Sequence, residues 1–150
     1  MRLRSPAFED GERIPEKHGY TDENVSPPLS FEDVPRSAES LALVMDDPDA
    51  VEPAGKVWDH WVVWNIGAGT TEVPEGWNPE DDGAVEGQND YGETGYGGPN
   101  PPDGEHTYVF KLYSLDTTLD LSGDAKKSDL EDAIKGHVTQ KAELRGTYAP

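Results

Sequence analysis

Four residues have the types and spacing to do chemistry together. His60 and His106 each follow a turn-rich stretch and stand at or near the start of a run that reads as a strand. Asp47 and Asp49 flank Pro48 at the end of a third such run. Strand ends that converge on one rim are where sheet proteins build pockets. A carboxylate beside an imidazole tunes its proton affinity towards neutrality, which suits acid–base work. Two aspartates and two histidines would also serve zinc or a similar ion. Their local spacing is unlike a dedicated metal site, however, and Asp-Pro-Asp is ordinary turn chemistry. Taken singly, each histidine reads as a hydrogen-bonded rim residue and Asp47 as a turn cap; only their joint placement points to a site.

Enzyme signatures are missing. The sequence holds no G-x-x-x-x-G-K-[ST] loop, no G-x-S-x-G elbow and no H-E-x-x-H helix. With no activated nucleophile and no cofactor motif, the expectation is a non-enzymatic chain that uses no cofactor.

The elements that must position these residues are mostly strands. Leu41–Met45 is a continuous apolar run and reads as a buried strand that stops at Asp46-Asp47-Pro48-Asp49. Trp58–Ile66 is a second strand, where alternation puts His60, Val62, Trp64 and Ile66 on one face and Trp61, Val63 and Asn65 on the other. His106–Leu115 is a third, with His106, Tyr108, Phe110 and Leu112 facing one way and Thr107, Val109, Lys111 and Tyr113 the other. Ser128 with Glu131 predicts a capping box at the start of a helix that Gly136 stops. Lys141–Tyr148 reads as a closing strand. Residues 5–40 and 67–105 read as turns and loops. The fold class is therefore mainly β, a sandwich or large sheet with a helical appendage near the C-terminus.

Composition narrows the partners. The 150 residues suit a single domain spanning 1–150. Asp and Glu number 31 against 12 Lys and Arg, a net charge of −19 that repels nucleic-acid backbones. The acids are spread along the chain, as in halophilic proteins that work in screening salt. Cysteine is absent, which removes disulfides and thiolate chemistry. No apolar run spans a bilayer and Met1–Phe8 lacks a signal-peptide core, so the expected setting is cytoplasmic and not membrane-embedded.

The sequence also resembles a known family. Asp47-Pro48-Asp49-Ala50, then Trp58-Asp59-His60-Trp61-Val62-Val63-Trp64-Asn65, and the segment GYGGPNPPDGEHTYVFKLYSLD at 95–116 are similar to phosphatidylethanolamine-binding proteins of the bacterial and archaeal, Raf kinase inhibitor-like branch. Lesser agreement runs from Ser5-Pro6-Ala7-Phe8 to Ala142-Glu143-Leu144. The resemblance implies a β-sandwich, a large central sheet packed on a smaller one with one or two helices near the C-terminus. It also implies a small pocket for an anion or phosphoryl head group. Carried over by motif position, its wall comprises Asp47, Pro48, Trp58, His60, Gly98, Asn100, Pro101, Pro102, His106 and Tyr108. A homodimer enters the list of partners on the same ground.

Three departures stand out. Thr107 replaces the family's usual arginine, the proline after Asp-Pro-Asp-Ala is displaced to Pro53, and no Lys or Arg occurs between Lys56 and Lys111 while 11 carboxylates do. The leading expectation is a ligand-binding or regulatory protein. The alternatives are an inhibitor of a protease or kinase acting through a surface loop around Trp77, and a hydrolase that uses the Asp/His pocket.

Overall fold

The computed structural model describes every residue from Met1 to Pro150. In chain order the elements are β1 (Arg2–Arg4), β2 (Leu29–Glu32), β3 (Ser40–Asp47), the helical turn α1 (Val51–Ala54), β4 (Trp58–Gly67), β5 (Glu72–Val73), β6 (Val85–Glu86), β7 (His106–Leu115), α2 (Lys127–Ile134) and β8 (Val138–Tyr148). They form two antiparallel sheets, one ordered β1-β2-β5 and the other β6-β4-β3-β7-β8.

β3 is central and all eight of its residues are buried. Both faces are covered, which is why its sequence is continuously apolar rather than alternating. Leu41, Leu43 and Met45 join Trp61, Phe110 and the small-sheet residues Leu3 and Phe31 in the core between the sheets. Ala42 and Val44 face the other way and pack with Val62, Trp64 and the α2 residues Leu130 and Ile134. The strand also runs further than its apolar stretch suggests, because Asp46 and Asp47 still pair with Asp59 and Trp58.

The alternation expected along β4 breaks twice. Leu41 pairs with Ile66 but Leu43 with Val63, so β4 holds an extra residue next to Asn65, whose φ is +55°. Asparagine tolerates that conformation, and Asn65 is further held by reciprocal side-chain bonds of 2.8 Å with the Leu119 N–H and carbonyl. Ile66 therefore joins Trp61 and Val63 in the main core instead of sharing a face with Val62 and Trp64. Met45 pairs with Trp61 but Asp46 with Asp59, which makes His60 the second extra residue. A bulge re-aims a side chain. His60 leaves the face of Val62 and turns towards Tyr108, ring centroids 5.2 Å apart.

Two other expectations shift. α2 begins at Lys127, and the Asp129 carboxylate accepts from the Lys126 N–H at 2.9 Å, so the cap lies two residues before Ser128. The reason lies in Lys127, whose ammonium reaches the carboxylates of Asp46 at 3.1 Å and Asp59 at 2.9 Å and pins the helix start to the sheet. Gly136, at φ +80°, ends the helix as expected. One helix, α2, thus lies near the C-terminus as expected, and a further helical piece, α1, follows β3. Residues 5–40, read as turns, also supply β2 and hence the middle strand of the small sheet.

Candidate functional site

The ends of β3, β4 and β7 meet at one rim and enclose a cavity of about 210 Å³. Asp47 comes from the last position of β3, Trp58 and His60 from the start of β4, and His106 and Tyr108 from the start of β7. Antiparallel pairing dictates this, since a strand that ends at the rim lies between two that begin there. Asn100, Pro101 and Pro102 close one side, and Tyr91, Ala50, Pro53 and Ala54 the rest.

Each polar group has an assigned state. The His60 Nδ1–H donates to the Gly97 carbonyl at 2.7 Å, while the Gly97 N–H donates to the His60 carbonyl at 2.9 Å. Burial lowers the proton affinity of His60, against a smaller opposing effect of the Gly97 carbonyl, so the ring is neutral with Nε2 as an acceptor. His106 is the opposite case. Its Nδ1 lies 2.6 Å from Asp47 Oδ2 and its Nε2 lies 2.6 Å from Asp103 Oδ1. Burial disfavours the charge, but the two carboxylates outweigh it and raise the pKa. Both nitrogens donate, and the ring is an imidazolium.

Asp47 is fixed from both sides, because its Oδ1 accepts the Asp49 N–H at 2.9 Å and so caps the turn Pro48–Ala50. It is at once a turn cap and a cavity wall. Trp58 Nε1 and the Tyr108 hydroxyl are buried and have no hydrogen-bond partner. Burial, with the Asp47 charge adding to it, keeps Tyr108 protonated, so its O–H is a donor.

Most of the expected wall residues are brought together, and two are not. Pro48 opens the helical turn and Gly98 lies behind the wall. A Cβ at Gly98 would run into the His18 carbonyl, and its N–H and carbonyl are already engaged by Asn24 and the Tyr91 hydroxyl at 2.8 Å each. Close backbone packing explains that glycine. Tyr91 is a further wall residue: it presents its ring edge-on to His60 at 5.7 Å and to Trp58 at 5.7 Å and stacks on Tyr20 at 3.8 Å. Nothing in its glycine-rich surroundings marks it. The displaced proline, Pro53, lines the cavity all the same. Thr107, where an arginine was expected, gives only its N–H to Asp49 at 2.8 Å. No three histidine, aspartate or glutamate side chains converge as a metal centre would require.

A family model described as phosphatidylethanolamine-binding protein matches residues 4–149. The chain belongs to this family. Among its relatives, the UPF0098 protein of Methanothermobacter thermautotrophicus is 49% identical over 99% of this chain and 98% of its own length. The UPF0098 protein of Chlamydia trachomatis is 43% identical over 99% and 98%. Among solved structures, the phosphatidylethanolamine-binding protein homologue CT736 from Chlamydia trachomatis superposes with a TM-score of 0.90 at 43% identity, covering 98% of this chain and 95% of the other. YbcL of E. coli, described as a member of the mammalian phosphatidylethanolamine-binding family, gives 0.89 at 31% identity with 98% and 96% covered. The two-sheet architecture is thus the family's.

Proposed function

We propose that the rim cavity binds a small oxyanion, free phosphate or the phosphoryl group of a larger molecule, without turning it over. The observation that carries this reading is the cavity lining, which gathers Trp58, His60, His106 and Tyr108 at one rim, where the Trp58 Nε1–H and Tyr108 O–H are buried without a close protein acceptor. A buried donor left unsatisfied costs about 1–3 kcal/mol, which a ligand acceptor recovers. The imidazolium of His106 supplies positive charge beside them, and neutral His60 offers an acceptor for a protonated phosphoryl oxygen.

The binding reading also agrees with the lining chemistry, which includes no Ser, Thr, Cys or Lys side chain to act as nucleophile. Trp77, the anchor of the surface-loop inhibitor reading, is buried against Trp61 at 6.2 Å, with its Nε1–H donated to Asp82 at 2.8 Å. Following the His60 and His106 ring resonances during a phosphate titration in molar salt tests the proposal. Saturable shifts that weaken in Tyr108→Phe support it; unmoved resonances at high phosphate end it.

A further inference from the structure

His106 is clamped by two carboxylates that differ in every respect except distance. Asp47 is 4% exposed in its side chain, and its second oxygen is committed to the Asp49 N–H. It belongs to the framework and orients the ring. Asp103 is 49% exposed in its side chain, and its one hydrogen bond is to His106 Nε2. It sits just past the cavity-lining Pro102, and Gly104 follows it at φ +153°, a backbone state that side chains rarely adopt. The contact is therefore held by a short loop rather than by packing.

No Lys or Arg lines the cavity, so His106 is the one lining cation. One carboxylate would neutralise it; two leave the trio with a net negative charge. A half-exposed ion pair in water is worth little and exchanges readily for a better partner. Phosphate is such a partner, since it brings more charge and several acceptor oxygens to Nε2–H.

We propose that Asp103 is an internal competitor that occupies the Nε2–H of His106 until an incoming oxyanion displaces it. The inference rests on the oxyanion reading of the cavity. It makes Asp103 the residue that sets the threshold for entry: weak or singly charged anions such as acetate fail to displace the carboxylate, whereas phosphoryl dianions succeed. Asp47 in this scheme is a positioning residue that keeps the ring charged and aimed after Asp103 has left.

The test is calorimetric titration of inorganic phosphate and of acetate into the native chain and into Asp103→Asn, Asp103→Ala and Glu105→Gln. Glu105 is an exposed carboxylate on the same loop whose side chain makes no hydrogen bond or ion pair with the His106 ring, so its neutralisation reports the general field alone. Removing the competitor is expected to tighten phosphate binding about tenfold and to admit acetate, while Glu105→Gln changes either by less than about twofold. The His106 15Nε2 resonance is expected to shift on phosphate binding in the native chain. Native binding with unchanged affinity in both Asp103 variants, or an equal gain in Glu105→Gln, overturns the competitor and leaves the oxyanion site standing. No phosphate binding by the native chain or any variant overturns the site and the competitor together.

Discussion

Tyr108 shows how a single residue divides stability from function. Its hydroxyl is buried without a partner while its ring packs in the core between the sheets. Tyr108→Phe keeps the ring and removes the orphaned donor. The variant is expected to be as stable as the native chain or more so by about 0.5–1 kcal/mol, and to bind phosphate several-fold more weakly. Denaturant midpoints and a titration on the same sample check both halves; a variant that loses stability and keeps its affinity contradicts the assignment. His106 gives a prediction in pH. Its pKa lies above the ordinary 6.5, so its contribution to stability is complete below 6.5 and is lost as pH rises through the folded value. His106→Gln is therefore expected to fall furthest behind the native chain below pH 6.5, with the gap narrowing as the pH is raised from there into the alkaline range. Urea melts across that range measure it, and a gap that widens with pH contradicts the imidazolium.

At the scale of elements, the strand that packs under α2 carries a buried charge. Asp46 is 2% exposed in its side chain and meets Lys111 at 2.9 Å and Lys127 at 3.1 Å; Lys127 also reaches Asp59 at 2.9 Å. Replacing Lys127 by Met preserves the stem but leaves two carboxylates short of a partner, and such a loss costs about 3–5 kcal/mol. Loss of helical ellipticity before sheet signals in a thermal melt would show that the cluster pins α2. A variant as stable as the native chain would mean that Lys111 alone suffices. None of this was legible in the sequence, because Asp46 and Lys127 lie 81 residues apart. The same holds for the bulges of β4. His60 was recognisable as a rim residue, but its turn towards Tyr108 depends on pairing with Met45 and Asp46 across the sheet. What could be read locally was the identity of the long strands, where apolar runs and alternation act over neighbouring residues. The cavity wall was readable in part, from Asp47, His106 and Tyr108 by alternation and strand ends, and from Asn100–Pro102 through family likeness. Tyr91 enters through a loop and Ala54 through the short turn of α1, whose course no short pattern encodes.

The whole molecule sets the field in which the cavity works. A net charge of −19 on 150 residues opposes both compaction and the approach of an anion. Several exposed pairs, such as Lys17 with Glu75 at 2.7 Å and Lys141 with Glu143 at 2.9 Å, use lysines that are outnumbered by carboxylates. Added salt weakens these exposed pairs slightly, since each is worth little, but it screens the much larger sum of repulsions. The sign of the balance is therefore clear: the melting temperature should rise as KCl goes from about 0.1 M to about 2 M, where the screening length falls below about 3 Å. Phosphate affinity should rise over the same range. A pocket walled by lysine or arginine does the reverse, because there salt screens an attraction; here the one lining cation faces two carboxylates within a strongly negative surround. Calorimetric titrations at four or five KCl concentrations give the slope directly. A positive slope supports a site that depends on local hydrogen-bond donors working against the global field. A negative slope would mean that the local charge of His106 reaches the ligand before the rest of the molecule does, and that the acidic surface is too distant to matter.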